Sequence, residues 1–267
     1  MRNTPMIPDI LNQLEANIRT VGRQERTVIT QAHFEIFISP RRLDHLSFAI
    51  PLPEAPRQWA TAVTEMQATF AQHHKRARLE YIADLHPDLA PALEQAGLVC
   101  ESRAPVMALD MAKLSPPPAL PPPATYHPLF PDDEALLRTY LRHQSLAYGG
   151  TGAAEAMDWL PNLQNGLANR SVLGAYLLQD NEMVSGAVIQ IGAGIGELAG
   201  VWSASTRRKR GLAFALCQQL LAEYTAVGYS HCWLSAAEGA QRLYEKLGFV
   251  TVGAQLNYGA ALPIHPA

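Results

Sequence analysis

Four consecutive cations, Arg207 to Arg210, stand immediately before a glycine and an apolar run in the segment TRRKRGLAFAL, residues 206–216. Residues 126–267 contain only nine Lys and Arg in all, so much of the positive charge of this region is in one place. Such a cluster is typical of an anion-binding site, and the alternative is a solvated basic turn at the start of an amphipathic helix.

A phosphate group would fit this segment if it joins a strand ending near Ser205 to a helix beginning near Gly211. The first amides of a helix lack intrahelical partners and carry the positive end of the helix dipole. Gly211 allows the backbone to approach the anion closely, and Ala213 is small for the same reason. The cations available to the outer phosphate oxygens are Arg208, Lys209 and Arg210.

The composition of the whole chain limits the alternatives. A net charge of −3 argues against non-specific nucleic-acid binding. The three cysteines show no CxxC spacing, so we expect neither a disulfide framework nor a zinc site, and no other metal is expected. The start of the sequence lacks the apolar region of a signal peptide, and no apolar run approaches the roughly 20 residues of a membrane span. We therefore expect a soluble cytoplasmic protein.

A proline-rich segment, SPPPALPPP at residues 115–123, divides the chain. Proline lacks an amide donor and fixes φ, which predicts a stiff linker, with a long internal loop as the alternative. The predicted organisation is a domain at 1–114, a linker at 115–125 and a second domain at 126–267.

The second half shows the periodicities of a mixed α/β domain. Helices are predicted in DDEALLRTYLRHQSLAY and AAEAMDWLPNLQNGL, the latter as one or two short helices interrupted near Pro161. Two apolar runs separated by Asp-Asn predict a hairpin, followed by a strand in GELAGVWSAS. Then come a helix from Gly211, a strand in SHCWLSA, a helix ending at Gly248 and one or two closing strands.

The first half repeats part of this order. At an offset of 151 residues without gaps, ALEQAGLV at 92–99 falls on LYEKLGFV at 243–250, and RQWATA at 57–62 falls on RKRGLA at 208–213. Arg57 then matches Arg208. However, the first copy has Trp59, Ala60 and Leu93 where the second has Arg210, Gly211 and Tyr244. The first half therefore looks like the same fold without the chemistry.

The pattern Arg-x-x-Gly-x-Ala after a strand, together with GAQRLYEKLGFV, resembles the coenzyme A loop and the following motif of the GNAT acyltransferase superfamily. The resemblance covers residues 126–267. It implies an α/β fold of two GNAT-like mixed-sheet domains in tandem, the N-terminal one partial and degenerate. Ser205 stands where family members often have proline.

The resemblance also implies roles for individual residues. The strand before the loop would bind the pantetheine arm through the backbone of Val201, Trp202 and Ser203, and the loop would bind the pyrophosphate. The implied loop residues are Arg208, Lys209, Arg210, Gly211, Leu212 and Ala213.

Tyr244 corresponds to the family tyrosine that protonates the departing thiolate of coenzyme A, and the alternative is a core residue on the apolar face of its helix. Glu197, the single acidic residue between Glu182 and Glu223, is the candidate base that neutralises the acceptor amine, unless it points to solvent. His143 and His231 are other possible bases. A further residue, Tyr148, would line the acceptor site.

The expected function is an acyl-CoA-dependent N-acyltransferase, with acetyl-CoA as donor and a small-molecule amine as acceptor in a ternary complex. The alternative is a non-catalytic module that binds or senses acyl-CoA. No nucleic acid, membrane or metal is expected to take part, and the sequence does not indicate an oligomeric state.

Overall fold

The computed structural model describes residues 7–31, 33–41, 43–53, 59–152 and 154–261. The chain forms two compact units: the first comprises the N-terminal region up to Val106 together with residues from Val252 onward, and the second comprises Met107–Thr251. Each unit combines helices with a mixed sheet, which confirms the predicted α/β class. None of the described helices is both long and apolar enough to cross a membrane.

The first unit consists of α1 (Ile7–Gly22), β1 (Thr27–Gln31), β2 (Phe34–Ile38), β3 (Phe48–Pro51), α2 (Trp59–Gln72), β4 (Arg78–Ile82), α3 (Leu89–Gln95), the first part of β5 (Leu98–Asp110) and most of β11 (Val250–Ala260). Its strand order is β1-β2-β3-β4-β11-β5. The first three strands are antiparallel, β3 and β4 are parallel, and β11 is antiparallel to β4. One apolar face of α2 packs on this sheet, with Val63, Met66 and Phe70 fully buried or nearly so.

The second unit consists of the end of β5, β6 (Thr125–Pro128), α4 (Glu134–Ala147), α5 (Ala154–Ala168), β7 (Val172–Gln179), β8 (Glu182–Gly192), β9 (Ile195–Ser203), α6 (Leu212–Ala226), β10 (His231–Ser235) and α7 (Gln241–Lys246). Its strand order is β5-β10-β9-β8-β7-β6. The strands from β6 to β9 are antiparallel, whereas β9 and β10 are parallel.

Helices cover both faces of the strands in the second unit. The core that includes α6 and α7 buries Leu216, Leu220 and Leu247, and the core that includes α4 and α5 buries Leu137 and Leu163. Burial on both faces explains why β8 reads as an almost continuous apolar run. The predicted β7–β8 hairpin is confirmed. Its turn residues, Asp180 and Asn181, have φ values of 52° and 62°, in the left-handed region that tight hairpins require.

Two details of the secondary structure differ from the sequence prediction. Pro161 lies inside one continuous helix, α5, instead of dividing two short ones. The helix continues through the missing amide donor, because buried Leu160 and Leu163 hold it against the sheet on both sides of the proline. The apolar segments LVCES and APVMALD near the end of the first half predict two strands, but both lie in the single strand β5.

The compact units also divide the chain at other points than the predicted domains. Met107, Leu109 and Met111 lie in a core of the second unit, and the proline-rich segment packs there through Leu120. Tyr258 of the closing strand lies in the core of the first unit. Strand partners at both places are distant in sequence, so local periodicity could not reveal them.

The repeat is visible in the element order. Helix α2 corresponds to α6, β4 to β10, α3 to α7 and β5 to β11. Gly97 and Gly248, which the repeat aligns, both have left-handed backbones after their helices, with φ values of 81° and 97°. Arg57, the proposed counterpart of Arg208, lies outside the described residues.

Candidate active site

Strand β9 leaves its parallel neighbour after its first residues. In the described chain the register between β9 and β10 comprises Gly196 opposite Cys232 and Glu197 opposite Trp233. The remainder of β9, as far as Ser203, stays paired with β8 on its other side. A strand with one paired edge and one diverging edge offers backbone donors and acceptors to an extended ligand.

A β-bulge interrupts β9 beyond the parallel pairs. The register with β8 passes from Val188 opposite Ala199 to Gly186 opposite Trp202, so two residues of β9 lie opposite the single residue Ala187 of β8. One of them is Gly200, with a left-handed φ of 57°. Bulges redirect backbone groups and often lie next to active sites. The other of the two residues is Val201, the first of the three residues that the resemblance assigns to pantetheine, so the bulge lies at the start of that segment.

The side chain of Trp202 is engaged in packing. It is buried between α4 and the sheet, with ring centroids 5.8 Å from Tyr140 and 5.9 Å from His143. A Cβ added to Gly186 would lie 2.5 Å from the Trp202 indole nitrogen, so this packing requires a glycine. Any contribution of Trp202 to ligand binding would therefore come from its backbone.

The loop between β9 and α6 has two left-handed residues, Lys209 with φ 62° and Gly211 with φ 78°. Gly211 caps the N-terminus of α6 without a side-chain hydrogen bond. Apart from Gly211 and its chain neighbours, no described heavy atom lies within 4 Å of the position that a Cβ would take there. Glycine thus relieves backbone strain and leaves open space in front of the helix N-terminus, as an anion site would need.

The four cations have different surroundings. Arg207 approaches Asp180 and Glu182 at 3.9 and 3.8 Å. Arg208 donates from Nη2 to the carbonyl of Ala147 at 2.9 Å. Lys209 and Arg210 are exposed, and no ion pair to either is found within the described part of the chain. The predicted loop residues are therefore contiguous, but Arg208 already has a partner in the protein.

The carboxyl end of α4 is fastened to the bulge and the loop. Gln144 donates from Nε2 to the carbonyl of Gly200 at 3.2 Å, and Tyr148 donates its hydroxyl to the carbonyl of Val201 at 2.7 Å. With the Arg208 contact, these hydrogen bonds hold Tyr148, the predicted acceptor-site residue, against the predicted cofactor residues. Gln144 was not predicted as a site residue, because a helical pattern does not distinguish a glutamine that bonds to a neighbouring strand from one that faces solvent.

Tyr244 lies on α7, mostly buried, with its ring 6.2 Å from that of Phe249. Burial raises the pKa of Tyr244 above the usual 10.0, and the nearby Cys217 and Tyr148 add to the increase. The phenol therefore holds its proton at neutral pH.

The candidate bases are dispersed. Glu197 is half-buried in the part of β9 that pairs with β10, and burial followed by the charge of Glu197 raises the pKa of the neighbouring Cys232. His143 stacks on Trp202 and lines a groove of about 600 Å³ between α4, the β7–β8 turn and the end of β9. Burial lowers the pKa of His143, so its imidazole is neutral at neutral pH. The third candidate, His231, begins β10 at the end where that strand pairs with β9.

Comparison with known proteins shows a family match for part of the chain. Residues 139–249 match the model of the acetyltransferase (GNAT) family. No curated protein matches the chain.

Solved structures resemble nearly the whole chain. A GCN5-related N-acetyltransferase from Kribbella flavida superposes with a TM-score of 0.74 at 18% identity, covering 97% of each chain. One from Sphaerobacter thermophilus gives 0.67 at 19% identity, covering 98% of this chain and 96% of its own. A tandem GNAT protein from the clavulanic acid biosynthesis pathway gives 0.62 at 12% identity, covering 96% and 95%. At these identities the likeness shows the fold.

Proposed function

Because residues 139–249 match the model of the acetyltransferase (GNAT) family, we propose that the protein is an N-acyltransferase that transfers an acetyl group from acetyl-CoA to a small-molecule amine. The proposal rests on one structural succession within that range: the bulged and diverging strand β9, the loop with left-handed Lys209 and Gly211, and helix α6. A phosphate-binding helix start directly after an open strand edge suits a ligand with a pyrophosphate at one end and an amide-containing arm.

The proposed cofactor site follows this succession. The pantetheine amides pair with the backbone of Val201, Trp202 and Ser203. The pyrophosphate accepts hydrogen bonds from the first amides of α6, from Gly211, Leu212 and Ala213. The side chains of Arg208, Lys209 and Arg210 bind the outer phosphate oxygens.

The proposed chemistry is direct acyl transfer. The neutral amine nitrogen attacks the thioester carbonyl carbon, the C–S bond breaks as the C–N bond forms, and the electron pair leaves on sulfur. Tyr244 donates its phenolic proton to that thiolate, and Glu197 takes the proton that the amine loses, directly or through water. Both buried thiols of the unit, Cys217 and Cys232, have pKa values raised by burial, which does not favour an acyl-cysteine intermediate.

Thiol release tests the function. The protein is incubated with acetyl-CoA and a mixture of primary amines, and free coenzyme A is measured over time. We expect release that depends on amine and that falls strongly in Gly211→Val. Calorimetric binding of acetyl-CoA without amine-dependent release would support the non-catalytic binding module instead. Absence of binding would overturn both.

A further inference from the structure

The carboxyl end of α4 lies on the groups that the proposed cofactor needs. The Tyr148 hydroxyl is 2.7 Å from the carbonyl of Val201, and Arg208 Nη2 is 2.9 Å from the carbonyl of Ala147. Val201 belongs to the proposed pantetheine edge and Arg208 to the proposed phosphate site. The last turn of α4 therefore contacts both the proposed pantetheine edge and the proposed phosphate site.

We propose that Tyr148 and Arg208 form a clasp that holds the last turn of α4 over the cofactor site, and that coenzyme A opens this clasp when it binds. The inference rests on the proposed function, since it concerns the same site. It adds a competition between protein and cofactor for the same hydrogen-bonding groups.

The surroundings of Tyr148 suit a movable side chain. Tyr148 is 61% exposed, but its hydrogen-bonded hydroxyl lies at the more buried end of the side chain, where burial raises the pKa of the phenol to about 12. Gly149 and Gly152 follow with φ values of 82° and 83°. At Gly149, apart from the glycine and its chain neighbours, no described heavy atom lies within 4 Å of the position of an added Cβ, whereas at Gly152 such a Cβ would lie 3.1–3.2 Å from Leu146 and Arg142 of α4.

The cofactor would displace the Tyr148 and Arg208 contacts in different ways. A carbonyl can accept two hydrogen bonds, but a phenol ring bonded to Val201 obstructs an extended arm passing along the same residue. A phosphate offers Arg208 a charged acceptor in place of the neutral carbonyl of Ala147, and charge-assisted hydrogen bonds are the stronger kind. Binding of the cofactor would therefore draw Arg208 away from α4 and displace Tyr148.

The first test asks whether removal of the Tyr148 hydroxyl strengthens or weakens the binding of coenzyme A. Tyr148→Phe keeps the ring and removes the competing donor, so we expect coenzyme A to bind about 3- to 10-fold more tightly, the equivalent of one net hydrogen bond. Calorimetric titration with coenzyme A, in the absence of an acceptor amine, measures this affinity. Tyr229→Phe is the control, because Tyr229 stacks on Tyr224 in the same unit and should not change the affinity. Unchanged or weaker binding in Tyr148→Phe would overturn the clasp.

The second test is hydrogen exchange on the unchanged protein. The amides of Tyr148, Gly149 and Gly150 bond to carbonyls of the last turn of α4. Coenzyme A should accelerate their exchange while it slows exchange at residues 211–214. Slowing at both places, or no change at 148–150, would overturn the clasp and leave the cofactor site standing. No slowing at 211–214 would overturn the cofactor site and the clasp together.

Discussion

Helices α2 and α6 hold corresponding places in the two units, yet they begin in opposite ways. Trp59, the first residue of α2, is 6% exposed and packs with its ring centroid 5.6 Å from Phe34 and 6.1 Å from His86. Gly211, just before α6, has a left-handed backbone and open space where a side chain would stand. One helix start is filled by a ring, and the other is open and flanked by cations.

Helices α3 and α7 differ in the same direction. Leu93 of α3 is fully buried in an apolar core, whereas Tyr244 of α7 brings a phenol to the corresponding place. The two units thus keep the same order of helices and strands although a few positions at helix starts and helix faces are apolar in the first unit and open, cationic or phenolic in the second. The following predictions test this difference between the two units.

The largest effect is expected at Trp59. Trp59→Ala should lower the free energy of unfolding by about 3–5 kcal/mol, because a large buried ring leaves a cavity. Urea unfolding measures the loss. The matched change at the aligned position, Arg210→Ala, should shift stability by no more than about 0.5 kcal/mol, since that side chain is exposed. A weaker affinity for coenzyme A in folded Trp59→Ala would contradict a purely structural role.

The next effect is on catalysis. Tyr244→Phe keeps the ring and its packing but removes the proton, so turnover should fall about 10²-fold while acetyl-CoA binding changes little. Steady-state thiol release gives the rate, and the thermal midpoint of the variant must be measured beside it. Near-normal turnover with binding intact would reject the role of general acid and leave Tyr244 as a core residue.

A smaller effect is expected on cofactor affinity. The double change Arg208→Ala with Lys209→Ala should weaken coenzyme A binding by about 1–3 kcal/mol, the scale of charge-assisted hydrogen bonds. Gly211→Val should weaken it at least as much, because valine at φ 78° strains the backbone and crowds the phosphates. If both variants bound normally in calorimetry, the anion site would have to lie elsewhere.

The same titration measures stoichiometry. Since Trp59 and Leu93 replace the residues that the second unit would use, we expect one coenzyme A per chain. Two per chain would mean that the first unit has kept a cofactor site.

The smallest effect concerns pH. Burial raises the pKa of the Cys217 thiol from 9.0 to about 12. Above pH 9 the thiol ionises in the unfolded chain but not in the folded one, so its contribution to stability is lost as pH rises towards 12. Between pH 8 and 10 the loss should be about 1 kcal/mol for this thiol. Cys217→Ala should reduce the fall in unfolding free energy by that amount under reducing conditions, whereas Cys100→Ala, at an exposed position, should not.

Sequence periodicity predicted most of the elements correctly. Helices α4, α6 and α7 and the β7–β8 hairpin are where the patterns placed them. The short strand β6 was missed, because four residues that end in Pro128 carry no alternation. The helix interruption predicted at Pro161 was wrong, because packing at Leu160 and Leu163 outweighs the loss of one amide donor.

What the sequence determined by itself is what depends on neighbours along the chain: the amphipathic helices, the Asp-Asn turn, the basic loop before Gly211 and the repeat that aligns Gly97 with Gly248. Tertiary structure alone decided that β11 pairs with β4 and that β9 bulges at Gly200. It also decided that Arg208 and Tyr148 fasten α4 to the proposed site. The reason is physical: helix periodicity and turn geometry act over a few residues, whereas strand partners and side-chain hydrogen bonds join groups that only folding brings together.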